Sequence, residues 1–79
     1  MEIKVLGTGC ANCKTLEKLT INALAELNIA ADVEKVDDIT KIMSYGIMRT
    51  PGLVINEKVV LTGKVPSIKE LKEIIENNK

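Results

Sequence analysis

The sequence predicts an α/β fold of element order βαβαββα, with one four-stranded mixed sheet flanked by three helices. Three observations carry that expectation. An apolar run, Ile3 to Leu6, stops at Gly7-Thr8-Gly9 and passes through Cys10-Ala11-Asn12-Cys13 into a helical pattern. Two further apolar runs, Leu53-Val54-Ile55 and Val59-Val60-Leu61, are separated only by the turn-like Asn56-Glu57-Lys58. Ser67-Ile68-Lys69-Glu70 has the composition of a capping box opening a last helix.

Taken in order, Ile3, Val5 and Leu6 make a short strand too apolar for an edge, which places it centrally with helices on both faces. The first helix is expected from Ala11 to Leu27. Cys13, Leu16, Thr20, Ala23, Leu24 and Leu27 recur at three- and four-residue spacings and share its inner face. Asn28 is the expected stop. Ala31 to Val36 reads as a second strand. One helix joins it to the first strand, so the two should pair in parallel. Asp37 or Asp38 caps a short helix with Ile39, Ile42 and Met43 expected inward, and Gly46 ends it. The loop Arg49-Thr50-Pro51-Gly52 leads into the third strand, and the turn Asn56-Glu57-Lys58 returns the fourth as its antiparallel partner. Ile68, Leu71, Ile74 and Ile75 form the inner face of the last helix, and the tail Asn77-Asn78-Lys79 is expected to fray. Residues 1–79 are read as one domain, a length that supports a small sheet with helices and little more.

Composition narrows the function. Hydrophobic residues make up 46% and charged residues 28%, the balance of a folded soluble chain. Tyr45 is the only aromatic residue, so stacking on bases is not an available binding strategy. Eleven basic and eleven acidic residues cancel and no basic run occurs, which disfavours nucleic acid and anionic membranes as partners. Met1-Glu2 leads straight into strand-like residues without the basic and long apolar segments of a signal peptide, and no apolar run approaches a membrane span. The expected compartment is the cytoplasm. There a close cysteine pair is more often catalytic or metal-binding than a structural staple. Two cysteines without histidine fall short of the usual closed zinc set.

The cysteine spacing carries a mechanism. A sulfur at a helix N-terminus meets unpaired N–H groups and the positive end of the helix dipole, which favour the thiolate. A second cysteine one turn in can attack a mixed disulfide on the first and release the partner. The plainer readings are a free surface thiol at Cys10, a core residue at Cys13, turn glycines at Gly7 and Gly9, and a loop proline at Pro51. Lys4 reads equally well as a strand residue with its amine in water or as a cation lowering a thiol pKa.

Cys10-Ala11-Asn12-Cys13 after the first strand, Thr50-Pro51 before the third, and the element order together resemble the thioredoxin superfamily. The likeness covers essentially the whole chain. Gly7-Thr8-Gly9-Cys10-x-x-Cys13 is similar to the motif of the small, glutaredoxin-sized redox-active disulfide proteins of archaea and bacteria. The resemblance implies a thioredoxin-like fold and a thiol–disulfide oxidoreductase with no cofactor beyond an intramolecular Cys10–Cys13 disulfide. Cys10 is implied as the attacking cysteine and Cys13 as the resolving one. Pro51 is implied as the family's cis-proline facing the pair. Thr50, Pro51 and Gly9 would then lie against the substrate, with the Thr50 backbone free to pair with it. Partners would be protein disulfides or dithiols and a separate reductase.

The sequence also departs from the family pattern. Gly9 stands where thioredoxins carry an aromatic, and Ala11-Asn12 replaces the usual dipeptide, which tunes the potential. Lys4 stands where thioredoxins hold a buried acid that assists the resolving cysteine. Thr62 to Ser67 keeps one glycine of the glutathione-binding segment and lacks its acid. Ser67 at a helix start can still hold a carboxylate, so glutathione stays a candidate without a motif of its own. The alternative is a Cu(I)-binding, metallochaperone-like module, because the cysteine loop also looks like that of heavy-metal-associated domains and two thiolates suit a soft ion. Those domains run βαββαβ, and the methionine two residues before their first cysteine is Thr8 here. A docking module with vestigial cysteines is the third reading.

Overall fold

The computed structural model of the chain describes residues 1–78. Its elements are β1 (Glu2–Leu6), α1 (Ala11–Glu26), β2 (Asp32–Val36), α2 (Ile39–Ser44), β3 (Gly52–Ile55), β4 (Lys58–Thr62) and α3 (Ile68–Asn77). They form one four-stranded sheet of order β2-β1-β3-β4. β1 pairs in parallel with β2, from Glu2 opposite Asp32 to Leu6 opposite Val36. It pairs antiparallel with β3, from Ile3 opposite Ile55 to Leu6 opposite Gly52. β3 and β4 are antiparallel, with a register shift between Leu53 and Val54.

Alternation along the strands separates two clusters. Ile3 and Val5 of β1 join Leu53 and Ile55 of β3, Leu16, Ala23 and Leu24 of α1, and Leu71 and Ile75 of α3. Leu6 joins Val36, Val54, Ile42 and Ile47 on the opposite face, under α2. Every residue of β3 is buried, as a central strand covered on both sides requires. Thr20 is fully buried in α1, where its hydroxyl donates to the Leu16 carbonyl (2.7 Å) and so has a partner.

The helix ends follow from their residues. Asn28 takes the left-handed conformation (φ 56°) just past the Leu27 cap, and Gly46 does so after α2 (φ 80°). Asp38 caps α2 by accepting from Thr40 N (2.9 Å), and Ser67 caps α3 by accepting from Glu70 N (3.3 Å). The β3–β4 turn is tighter than the sequence suggested. Only Asn56 and Glu57 form it, both at positive φ (49° and 68°), and Lys58 already belongs to β4. β2 begins at Asp32 rather than Ala31. Asn77 closes α3 rather than fraying, and the Asn78 amide donates to the Ile74 carbonyl (2.8 Å), whereas Lys79 lies outside the described residues.

The inward face expected for α2 is corrected. Ile42 is buried, but Ile39 and Met43 are 59% and 67% exposed. Six residues make fewer than two turns, and Ile47 from the following loop fills the space beside Ile42 over Leu6, Val36 and Val54. Leu16→Ala is therefore expected to cost about 2–5 kcal/mol in urea unfolding. Ile39→Ala should stay within about 0.5 kcal/mol of the parent chain.

Candidate active site

The site is built at the end of the sheet where β1 runs out. Gly7 continues the strand by donating its N–H to the Val36 carbonyl (2.9 Å). Gly9 then turns the backbone at φ 89°, a conformation that side chains rarely adopt. Cys10 follows as the N-cap of α1, in extended geometry, and its sulfur accepts the Cys13 N–H (3.1 Å). A sulfur thus takes the place usually held by a Ser, Thr, Asp or Asn oxygen at a helix start. The first turn of α1 contains no acidic residue, so no carboxylate competes for the positive end of the helix.

Cys10 and Cys13 form a disulfide, with Cα atoms 5.0 Å apart. The two sulfurs differ in access. Cys10 is exposed, whereas Cys13 is 3% exposed and lies on the inner face of α1. A partner thiolate arriving from solvent therefore meets Cys10 first.

Gly7 has a role that its sequence position does not disclose. A Cβ there would fall on the Cys13 sulfur and come within 2.8 Å of Cys13 Cβ. The residue is glycine because the Cys13 sulfur rests against its Cα. A turn glycine and a glycine required for space look alike in one sequence, so no sequence signal separated them. Gly9 is the opposite case: its missing side chain would meet nothing within 4 Å, and only its backbone angle requires glycine.

The antiparallel register that sets Leu6 opposite Gly52 carries the next residues, Gly7 and Pro51, to the same end of the sheet. The Thr50–Pro51 peptide bond is cis. Pro51 is buried and its carbonyl accepts from Gly63 N (2.8 Å), which ties the loop before β3 to the loop after β4. Thr50 is exposed, and it lines a groove together with Thr8, two residues before Cys10. Arg49 lays its aliphatic stem across Gly63, whose missing Cβ would lie 3.2 Å from Arg49 Cβ, and its side chain reaches solvent from there.

Lys4 stands apart from the cysteines. Ile3, Val5 and Gly7 face α1, whereas Lys4 and Leu6 face α2, since Lys4 lies opposite Val54 and Val54 belongs to the α2-side cluster. The Lys4 ammonium donates to the Tyr45 hydroxyl (2.9 Å) and the Glu57 carboxylate (3.2 Å), and it sits 5.6 Å from the centre of the Tyr45 ring. The Tyr45 hydrogen bond first, then Glu57, hold its pKa well above the ordinary lysine value. Lys4 is thus a charged clasp between β1, the end of α2 and the β3–β4 turn, on the far face of the sheet from Cys13. Tyr45 is the C-cap of α2 and packs against its cluster.

Two substitutions test this arrangement. Gly7→Ala forces atoms into the Cys13 sulfur and should lower stability by about 1–3 kcal/mol in denaturant unfolding of the oxidised protein. Lys4→Met should leave the alkylation rate of Cys10 in the reduced protein unchanged from pH 5 to 9, read by mass spectrometry, while lowering the melting temperature. A displaced alkylation midpoint would mean that the lysine charge reaches the thiols.

With this geometry in place, comparison with known proteins is informative. The thioredoxin-domain family matches residues 1–76. A thioredoxin of Methanothermobacter thermautotrophicus is 40% identical over 75 residues, covering 95% of this chain and 97% of the relative. A thioredoxin of Methanocaldococcus jannaschii is 37% identical over 71 residues, covering 90% of this chain and 81% of the relative. A four-stranded mixed sheet with three helices, a Cys-x-x-Cys disulfide at the head of the first helix and this match over nearly the whole length lead to one conclusion: the chain belongs to the thioredoxin family, whose redox centre is the disulfide itself.

Proposed function

We propose that this chain is a cytoplasmic thiol–disulfide oxidoreductase that exchanges the Cys10–Cys13 disulfide with partner proteins, and that residues 1–79 act as one domain. The observation that carries this reading is the asymmetry of the pair. Cys10 is exposed and its sulfur accepts a helix N–H, and Cys13 is buried one turn behind it. Family membership supports the same chemistry.

In the reducing direction, the Cys10 thiolate attacks one sulfur of a partner disulfide. A Cys10–partner bond forms, the partner S–S bond breaks, and the departing partner thiolate takes a proton. Cys13 then loses its proton to water or to the second departing thiolate and attacks the Cys10 sulfur. The mixed disulfide breaks, and Cys10–Cys13 forms. Two electrons have passed from the cysteine pair to the partner, and a separate reductase must return them. The oxidising direction is the reverse, and the potential decides which prevails. The Cys13 N–H on the Cys10 sulfur favours the thiolate needed at the first step. Lys4, clasped on the other face, takes no part in the proton transfer at Cys13.

Gly9, Thr50 and Pro51 are read as the substrate-facing residues. Gly9 leaves open space beside the exposed sulfur, and the exposed Thr50 offers its backbone to an extended partner segment. Pro51 serves as the family's cis-proline beside the pair. Glutathione finds little support as a partner. The Ser67 hydroxyl already caps α3 and lies 3.3 Å from a Glu70 carboxylate oxygen, a negative charge where an anionic ligand would dock. The Cu(I) alternative meets a different obstacle: α2 follows β2 and α3 follows β4, unlike the βαββαβ order of heavy-metal-associated domains.

A mixed-disulfide trap in a cytoplasmic extract tests the proposal. Cys13→Ser should capture reducible protein adducts on Cys10, and Cys10→Ser should capture none. Equal capture by the two variants would reverse or erase the assigned roles.

A further inference from the structure

We infer that Gly7 is a positioning residue for the closing step of the exchange: its bare Cα is the berth in which the Cys13 sulfur must lie to bond Cys10. The inference rests on the exchange reading above and names what governs how long a partner stays attached. A Cβ on residue 7 would take the place of the Cys13 sulfur and stand 2.8 Å from Cys13 Cβ. Gly7 is buried, and the three atoms nearest to that Cβ all belong to Cys13. Neither wall of the berth is free to retreat. The Gly7 N–H is held by the Val36 carbonyl (2.9 Å), just past the last paired residues of β1 and β2. Cys13 is held by α1, whose Leu16 packs in one cluster with Ile3 and Val5 of β1. Close packing on both sides leaves room for a bare Cα and one sulfur, and no more.

The redox forms use the berth differently. In the disulfide, the bond to Cys10 fixes the Cys13 sulfur in it. In the dithiol, or with a partner joined to Cys10, no bond holds that sulfur, and it is free to turn to another staggered position about its Cα–Cβ bond. A methyl group on residue 7 leaves the open forms that escape and denies it to the closed form. Alanine there therefore penalises closure more than the open forms, and glycine favours closure.

Closure is the step in which the Cys13 thiolate attacks the Cys10 sulfur. The Cys10–Cys13 bond forms, the Cys10–partner bond breaks, and the partner leaves as a thiolate. Residue 7 thereby sets two properties of the pair: the residence of a partner on Cys10 and the readiness of the dithiol to give up its two electrons.

The test equilibrates Gly7→Ala with dithiothreitol buffers of graded oxidised-to-reduced ratio, in which each protein disulfide reduced converts one dithiothreitol to its cyclic disulfide. The equilibrium should move about ten-fold toward the protein dithiol relative to the parent, or roughly 30 mV for a two-electron couple. A second assay mixes the reduced protein with one equivalent of a symmetrical, coloured aromatic disulfide. One coloured thiolate leaves as the mixed disulfide forms on Cys10, and the other leaves as Cys13 closes. The first release should keep the parent rate, and the second should slow about ten-fold in the variant. Leu71→Ala, a core change on α3, should lower stability and leave the equilibrium and both rates as they are. An unshifted equilibrium or an unslowed second release in folded Gly7→Ala, or the same shift in Leu71→Ala, would overturn the berth while leaving exchange intact. If Gly7→Ala does not fold, Gly7→Ala/Cys13→Ala decides. Recovery of the fold upholds the Cys13 sulfur as the obstacle, whereas failure assigns the glycine to the packing of strand on helix and overturns the inference. No coloured thiol released by the parent protein would overturn the exchange reading and the berth with it.

Discussion

The N–H of Cys13 that donates to the sulfur of Cys10 is the contact on which the site's structure and its chemistry both depend. A helix of sixteen residues begins with N–H groups that lack intrahelical partners, and something must satisfy them. Here the group that does so is one sulfur of the disulfide. The same contact starts α1 at Ala11, sets Cys13 one turn along, and turns the inner face of the helix onto the sheet. If the cap moved by one residue, the helical period would swing Cys13 about 100° away from the core. The buried face of Leu16, Thr20, Ala23 and Leu24 therefore fixes the cysteine pair as firmly as the pair fixes the helix start.

Sheet geometry supplies the second half of the arrangement. β1 is central, Gly7 just past its end still bonds to Val36, and the alternation that sends Ile3 and Val5 to α1 sends the bare Cα of Gly7 to the Cys13 sulfur. One residue later or earlier, the strand would present its other face, and Lys4 would have pointed at the thiols. Instead the sheet stands between them. Its ammonium has taken Tyr45 and Glu57 as partners, 41 and 53 residues away in sequence, and joins three elements at the end of the molecule that α2 is too short to cover.

These contrasts show what a sequence discloses. Element order was legible because each element carries a local signal: apolar runs for β1 and β3, three- and four-residue spacing for α1, and Ser67 with Glu70 for α3. The cysteine pair was legible for the same reason, since its chemistry needs only spacing and a helix start. The orientation of α2 was not legible. Ile39, Ile42 and Met43 have helical spacing, but whether a six-residue helix turns all three inward depends on Ile47, which comes from outside it and fills the space first. The partners of Lys4 and the closeness of Gly7 to Cys13 are long-range or steric facts with no mark in the local pattern. The cis bond before Pro51 lies between these cases. An X-Pro bond by itself carries only about a 5–6% chance of that isomer in a folded protein, so the dipeptide was silent and the family resemblance spoke for it.

The exchange proposed for this site is local, and that has a consequence for specificity. Both sulfurs lie within one helical turn, and the attack of one on the other needs no distant element to move. Burial of Cys13 decides only which sulfur meets the partner. Any accessible disulfide satisfies that requirement equally, so the pair by itself cannot choose among substrates. Discrimination has to come from the surface a partner covers while joined to Cys10, and beside that sulfur the surface is unusually divided. Its α2 side is apolar, whereas Lys14 at the head of α1 and Arg49 before Thr50 are charged. Ile39 and Met43, which α2 does not turn into the core, make up much of that apolar side.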